Sequence, residues 1–131
     1  MRCLLDTAVW LWSLTAPERI NRRARQIVAN GGEDLYLSAV SSWEISIKWA
    51  LGRLRLPEPA AIYVPKCMAA QGIQPLSITH THALAVSELP EHHKDPFDRL
   101  LIAQARVEDM VILTADRAFR PYRVKLLWSG S

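Results

Sequence analysis

The stretch Asp95-Pro-Phe-Asp-Arg-Leu-Leu-Ile-Ala-Gln-Ala105 decides how this chain folds. It reads as the opening of a buried helix with two acids at its start. Asp95 is a good N-cap, and Pro96 suits the first helical position, where a missing N–H costs nothing. Leu100, Leu101, Ile102, Ala103 and Ala105 then make the helix apolar nearly all round, which places it inside a domain rather than on its surface. Asp98 sits one turn in, at the polar mouth of that helix.

Outward from this helix, apolar runs alternate with helical patterns. Arg2 to Leu5 predicts a first, central strand, and Thr7 to Leu14 a short helix. Pro17 to Ala29 predicts an amphipathic helix with Ile20, Ala24, Ile27 and Val28 inward, ended by Gly31-Gly32. Leu35 to Ala39 is the second strand. Ser41-Ser-Trp-Glu44 opens the next helix, with Trp43, Ile47, Ala50, Leu51 and Leu54 at helical spacing. Gly52 ends it, and Arg53 to Leu56 is a short extended arm. A helix from Ala60 to Ala70 stops at Gly72. Ile73 to Ile78 is a strand placed at a sheet edge because of Pro75. Thr79 caps a helix reaching about Leu89, and Pro90 to Lys94 is a polar loop. Val111 to Thr114 is a strand, Asp116 to Phe119 a helical turn, and Val124 to Leu127 a last strand. This alternation implies an α/β domain with a mostly parallel central sheet and helices on both faces.

At 131 residues, half of them hydrophobic and five of them Trp, the chain is expected to form one domain over 1–131 with a real core. No apolar run approaches the roughly 20 residues of a membrane span. Asp6 comes too early for the apolar region of a signal peptide, so a cytoplasmic protein is expected. Cys3 and Cys67 form no CxxC, which favours buried thiols over a zinc site or a disulfide framework. The net charge of +3 and pI near 9.1 suit a polyanionic partner without requiring one. The basic residues cluster as Arg19, Arg22, Arg23 and Arg25; as Lys48, Arg53 and Arg55; and as Arg117, Arg120, Arg123 and Lys125. Solvated helix faces account equally well for the first cluster.

Ligands of open parallel sheets bind beyond the carboxyl ends of the strands. Asp6 follows the first strand, Glu44 and Asp98 lie in first helical turns, and Asp116 follows Val111–Thr114, so all four open onto one edge. Clustered carboxylates repel one another when poorly solvated, and a divalent cation relieves the repulsion. Oxygen ligands without His or Cys favour Mg²⁺ or Mn²⁺. Phosphodiester hydrolysis is the reaction that best uses such a site, with nearby Arg and Lys on the flanking phosphates. A purely structural account stands beside this one. Ser41-x-x-Glu44 is a capping box, and Glu44 has Lys48 four residues on. Asp6 and Asp116 suit N-caps, and Asp98 suits a positive helix terminus. Helix-capping acids collect at this edge in any α/β protein. His80, His82, His92 and His93 fit exposed or structural roles better than ligation, and the Trp residues fit the core better than base-stacking platforms. No nucleophile elbow or glycine-rich phosphate loop is present.

Together these pieces resemble a PIN-domain toxin of the VapC type. The matching stretches are Leu4-Leu-Asp-Thr7, Ser41-Ser-Trp-Glu-Ile-Ser-Ile-Lys48, Leu51-Gly-Arg-Leu54 with Pro57, His93-Lys-Asp-Pro-Phe-Asp-Arg-Leu-Leu-Ile-Ala-Gln-Ala105 and Thr114-Ala-Asp116. They span nearly the whole chain in order. The resemblance implies a three-layer α/β/α PIN-like fold and a Mg²⁺- or Mn²⁺-dependent endoribonuclease. It implies an acidic quartet of Asp6, Glu44, Asp98 and Asp116, with hydroxyls at Thr7 and Thr114. Asp98 is assigned to the metal, and Asp95 to a cap or outer position. The resemblance further implies an RNA substrate, a VapB-type antitoxin that covers the acidic site, a homodimer within that complex, and operator binding through the antitoxin. Trp10, Leu11, Trp12, Trp43 and Trp49 are candidate antitoxin grooves.

Three other readings are weighed against this. A receiver-like signalling domain also binds Mg²⁺ at a sheet edge, but needs an acidic pair and a late lysine; Asp6 is single and Lys125 lies inside a strand pattern. A haloacid-dehalogenase-type phosphohydrolase fails at position 8, where Ala stands in place of a second Asp. A non-catalytic PIN-like binding module is the third reading, and the complete set of four acids argues against it.

Overall fold

A computed structural model describes residues 1–31 and 34–131. Five short parallel strands form one sheet: β1 (Cys3–Leu5), β2 (Leu35–Ser38), β3 (Gln74–Leu76), β4 (Val111–Thr114) and β5 (Leu126–Trp128), in the order β3-β2-β1-β4-β5. β1 is central, as expected, and β3 with Pro75 is an edge strand. Among the described residues six helices, α1 (Thr7–Thr15), α2 (Arg22–Asn30), α3 (Ala39–Ala50), α4 (Ala60–Gln71), α5 (His80–Ala85) and α6 (Pro96–Glu108), flank the sheet. One core cluster joins Leu5, Val9, Trp10, Ile20 and Leu37 with Val64 of α4. The other joins Leu4, Val40 and Ile112 with Leu101, Ile102 and Ala105 of α6. This is the α/β/α layering that the alternating pattern predicts.

Helix α6 begins as read from sequence. Asp95 Oδ1 accepts from the backbone N–H of Phe97 at 2.9 Å and of Asp98 at 3.3 Å, and Pro96 takes the first position. Leu101 to Ala105 are all buried. Gln104, the one polar residue among them, is satisfied by Ser38, His82 and the Ser77 carbonyl. Helix α4 ends at Gly72 in the left-handed region, φ 68°.

Several elements depart from the sequence pattern. Pro17 to Ala29 is not one helix. A 3₁₀ turn covers Pro17–Arg19, Ile20 bridges antiparallel to Gly130, and α2 starts afresh at Arg22. The reason is Asn21. Its side chain caps Ala24 and donates to the carbonyls of Trp128 and Gly130, tying this segment to the far end of the sheet. Of the terminator Gly31-Gly32, Gly31 is the C-cap and Gly32 lies outside the described residues.

Helix α3 starts three residues earlier than the Ser41 capping box implies, with Ser38 as N-cap. It also presents a different face. Val40, Ser41, Glu44 and Ile45 are buried, whereas Trp43 is 55% and Leu51 63% exposed. Arg53 to Leu56 form no strand, the helix from Thr79 gives way to a 3₁₀ turn at Val86–Glu88, and the last strand runs one residue beyond Leu127.

Candidate active site

The strand order reverses direction about β1 and β4, and ligands of such sheets sit where that reversal opens a crevice. Asp6 leaves β1 there, and Asp116 follows β4. A cleft of about 1030 Å³ occupies the position and is lined by Asp6, Thr7, Glu44, Asp95, Asp98 and Asp116, with Lys48, Arg53 and Arg117. All four acids of the expected quartet therefore face one space, with Asp95 beside them; Thr114 meets that space through Asp6.

Each acid is placed by a different local device. Asp6 occupies the N-cap position of α1 yet makes no side-chain capping bond. Its Oδ2 instead accepts from the Thr114 hydroxyl at 3.0 Å, across 108 positions of sequence. Its capping alternative is thus removed. Glu44 lies in the second turn of α3, not the first, so Ser38 leaves it no capping role; it pairs with Lys48 at 2.5 Å. Thr7 Oγ1 donates to Ser41 Oγ at 2.8 Å inside the protein, fixing α1 against α3. Asp116 does cap the 3₁₀ turn that follows it, through Oδ1 to the Ala118 N–H. Asp95 spends Oδ1 on capping α6, which leaves Asp98 as the acid of that helix mouth without a capping duty.

The electrostatics record a deficit of positive charge. Burial, reinforced by Asp98, Asp116 and Glu44, pushes the Asp6 carboxyl up to about 7 against the pull of Thr114. Burial and Asp95, with smaller contributions from Glu44 and Asp116, push Asp98 up to about 6 even though His93 lowers it. The Lys48 ammonium is held up chiefly by its hydrogen bond to Glu44. Buried carboxylates that raise one another in this way are the donor set a divalent cation satisfies, and oxygen-only donors suit Mg²⁺ or Mn²⁺. Among the described residues no three acid, His or Cys side chains already close on one point.

His93 is the site residue that sequence reasoning placed elsewhere. Its Nε2 lies 3.3 Å from Asp98 Oδ2 and its Nδ1 3.0 Å from the Tyr122 hydroxyl. That hydroxyl already accepts from the His93 backbone N–H and from Arg99 Nη1. Its own proton therefore goes to Nδ1, so Nε2 carries the ring proton and donates to Asp98. The other carboxylate oxygen of Asp98 is left for the cleft. Replacing His93 with Ala is expected to weaken Mn²⁺ binding about tenfold, in the range seen for partners that orient a metal ligand. His93→Gln, which can return an N–H, should recover most of it; calorimetric titration with Mn²⁺ reads the difference.

The cap and the quartet member separate in the same way. Asp95→Ala should lower unfolding free energy by about 1 kcal/mol through loss of the cap while sparing most cleavage, whereas Asp98→Asn should do the reverse. Urea unfolding and a cleavage assay on both variants test the assignment, and a dead but fully stable Asp95→Ala would exchange the two roles.

The remaining expectations are mixed. His80 and His92 are exposed, and His82 is buried against Glu108 at 2.7 Å in a structural role. Trp10 is fully buried and cannot line a groove, but Trp43 and Trp49 lie on the surface, contrary to their assignment to the core. Cys3 and Cys67 are free thiols, the first buried and the second half-buried. Lys125 donates to Asp109, outside the cleft-lining set, so the late lysine of a receiver-like site is missing from the acids. No helix among the described residues is long and apolar enough to cross a membrane.

Comparison with known proteins bears on the family and the fold. Ribonuclease VapC16 of Mycobacterium tuberculosis is 45% identical over 67 residues, which is 51% of this chain and 47% of that relative; the aligned stretch thus spans about half of its length. Ribonuclease VapC22 of the same organism is 29% identical over 92% of this chain and 91% of its own. In fold, the chain is similar to one from the VapBC2 structure of Rickettsia felis, solved with a promoter DNA fragment, at a TM-score of 0.73, 11% identity and coverage of 98% and 99%. It is equally similar to one from DNA-bound VapBC of Salmonella typhimurium, at a TM-score of 0.74, 13% identity and 97% coverage of each. With residues 3–125 matching the family pattern from the first strand to the approach of the last, the chain belongs to the PIN domain family.

Proposed function

We propose that this chain, a single PIN domain, is a divalent-metal-dependent endoribonuclease and the toxin of a toxin–antitoxin pair acting in the cytoplasm. The observation that carries the reading is the convergence of Asp6, Glu44, Asp98 and Asp116 on one cleft, two of them with carboxyls raised toward neutrality. The ribonuclease names of both curated relatives support the substrate class. When bound, Mg²⁺ or Mn²⁺ supplies a polarised phosphate and a more acidic water. The protein's own part is positional. Thr114 holds Asp6, His93 turns Asp98 toward the cleft, and Thr7 with Ser41 sets the separation of α1 and α3. Lys48 offsets the charge of Glu44, while Arg53 and Arg117 on the cleft wall take the flanking phosphates.

The VapBC complexes that share the fold support a VapB-type antitoxin as partner, and with it a toxin homodimer. The exposed Trp43, set edge-on to Phe97 with centroids 5.1 Å apart, together with Trp49 and Leu51 offers apolar surface for such contacts.

The test is incubation of purified protein with total cellular RNA in Mg²⁺, in Mn²⁺ and in excess EDTA, with the cut ends mapped. Discrete cleavage is expected with either metal, and none in EDTA or with Asp98→Asn. Cleavage that persists in EDTA would remove the metal from the mechanism. RNA left intact by a metal-saturated protein would favour the non-catalytic binding module.

A further inference from the structure

One wall of the cleft is neither acidic nor simply basic. Trp12, Arg19, Arg117 and Trp128 line it, and two of its aromatic rings carry guanidinium groups. Arg19 lies over the Trp12 ring at 4.2 Å, and Arg120 over the Trp128 ring at 4.5 Å. The wall is stitched together: the Ser131 N–H donates to the Arg19 carbonyl, the Asn21 N–H donates to the Ser129 carbonyl, and Ile20 bridges to Gly130. Trp128 is 36% exposed although it belongs to a sheet strand. A Cβ at Gly130 would stand 3.1 Å from its Cζ2, so the glycine lets the chain lie against the indole. Arg120, which does not itself line the cleft, covers one face of the ring, and Gly130 lies along its Nε1–Cζ2 edge.

Register gives this wall its position. Trp128 is the β5 partner of Thr114, and Thr114 is the residue that holds Asp6. The indole therefore starts one strand spacing, about 4.8 Å, from the residue that anchors the central acid. Planar groups of this kind, an indole backed by a guanidinium and a guanidinium backed by an indole, are what unpaired nucleobases stack on. Paired bases are already stacked on both faces and have no face to offer. A basic peptide entering the acidic cleft would gain nothing from Arg19 and Arg120, so the charge favours a nucleic acid here. Glu18, next to Arg19, and Asp116, next to Arg117, are the acids that border it.

We propose that Trp128, with the Trp12–Arg19 pair beside it, forms a stacking subsite for unpaired nucleobases next to the cleaved phosphate. This rests on the ribonuclease reading above. The subsite holds the strand beside the acids without reading its sequence.

The experiment uses the full chain carrying Asp98→Asn, so that RNA binds without being cut. The probe is an unstructured single-stranded oligoribonucleotide with 2-aminopurine scanned through successive positions, at fixed salt. Quenching of the fluorescent base is expected at one or two adjacent positions. Trp128→Leu should abolish that quenching and weaken binding about 5- to 100-fold, Trp128→Phe should restore most of both, and Arg19→Met should weaken binding less. Removing the base at the quenched position should cost the parent as much as Trp128→Leu does, with no further loss when the two are combined. Parent-like affinity and quenching in a folded Trp128→Leu would overturn the subsite while leaving the nuclease reading intact. A Trp128→Leu that loses only affinity for a purified antitoxin would overturn it in favour of peptide docking. A parent that binds no RNA at all would overturn both readings together.

Discussion

Asp6→Asn is expected to abolish RNA cleavage and, above neutral pH, to stabilise the fold. Cleavage should fall at least about a thousandfold, because several kcal/mol of charge stabilisation at the phosphate depends on this central carboxylate. The effect on stability runs the other way. The Asp6 carboxyl titrates near 3.8 when unfolded and at about 7 when buried among Asp98, Asp116 and Glu44. A raised folded value means that folding favours the protonated form. Its contribution to stability is complete below about 4 and is lost as pH rises through 7. At ~1.4 kcal/mol per pKa unit the shift bounds the effect at about 4 kcal/mol. Asparagine carries no charge, and its carbonyl can still accept from Thr114. In EDTA the variant should therefore exceed the parent at pH 8 by on the order of 1–3 kcal/mol, with the advantage gone by pH 4. Urea unfolding at the two pH values reads this, and an equal loss of stability at both would show that Asp6 is an ordinary packing residue.

The second large effect is stabilisation by the cation itself, and it too should depend on pH. Metal binding requires deprotonated carboxylates, so it releases protons wherever the free acids hold them. With Asp6 at about 7 and Asp98 at about 6, the site is largely ready at pH 8 and must shed protons at pH 5.5. Mg²⁺ at a hundred times its dissociation constant at pH 8 should add about 2.7 kcal/mol to unfolding. The same concentration at pH 5.5 should add little. Asp98→Asn should flatten the response at both. A thermal shift equal at pH 5.5 and pH 8 would place the bound ion away from these acids.

Legibility in the sequence followed the range of the interactions. Helix α6 was readable because its determinants are local: a cap, a proline and a continuous apolar body within eleven residues. The sheet-edge placement of the four acids was readable because each follows a strand or opens a helix. What escaped depends on partners far along the chain. Asn21 splits the Pro17–Ala29 segment because it bonds the carbonyls of Trp128 and Gly130. Helix α3 carries two apolar stripes, and the choice between them falls to Ser41 and Glu44, polar residues turned inward by Thr7 and by the cleft. A count of hydrophobic residues selects the wrong stripe. His93 gains its role from Tyr122, and the Trp128 platform from its register with Thr114. Neither partnership leaves a periodic trace.

The hydrogen bond from Thr114 to Asp6 joins positions 108 apart, and this bears on when the acidic site is completed. β4 pairs directly with the central strand, so the acidic cleft has no floor until residues 111–114 have docked beside residues 3–5. During synthesis the amino-terminal segments emerge and begin to organise first, yet a chain that has reached α5, or even the start of α6, carries Asp6 and Glu44 without the strand that holds Asp6 and without Asp116. Closing so long a loop is also among the slower steps of folding. On the proposed toxin reading, the activity is thereby deferred to the end of the protein's own maturation, which leaves an antitoxin the whole interval of elongation and folding in which to arrive.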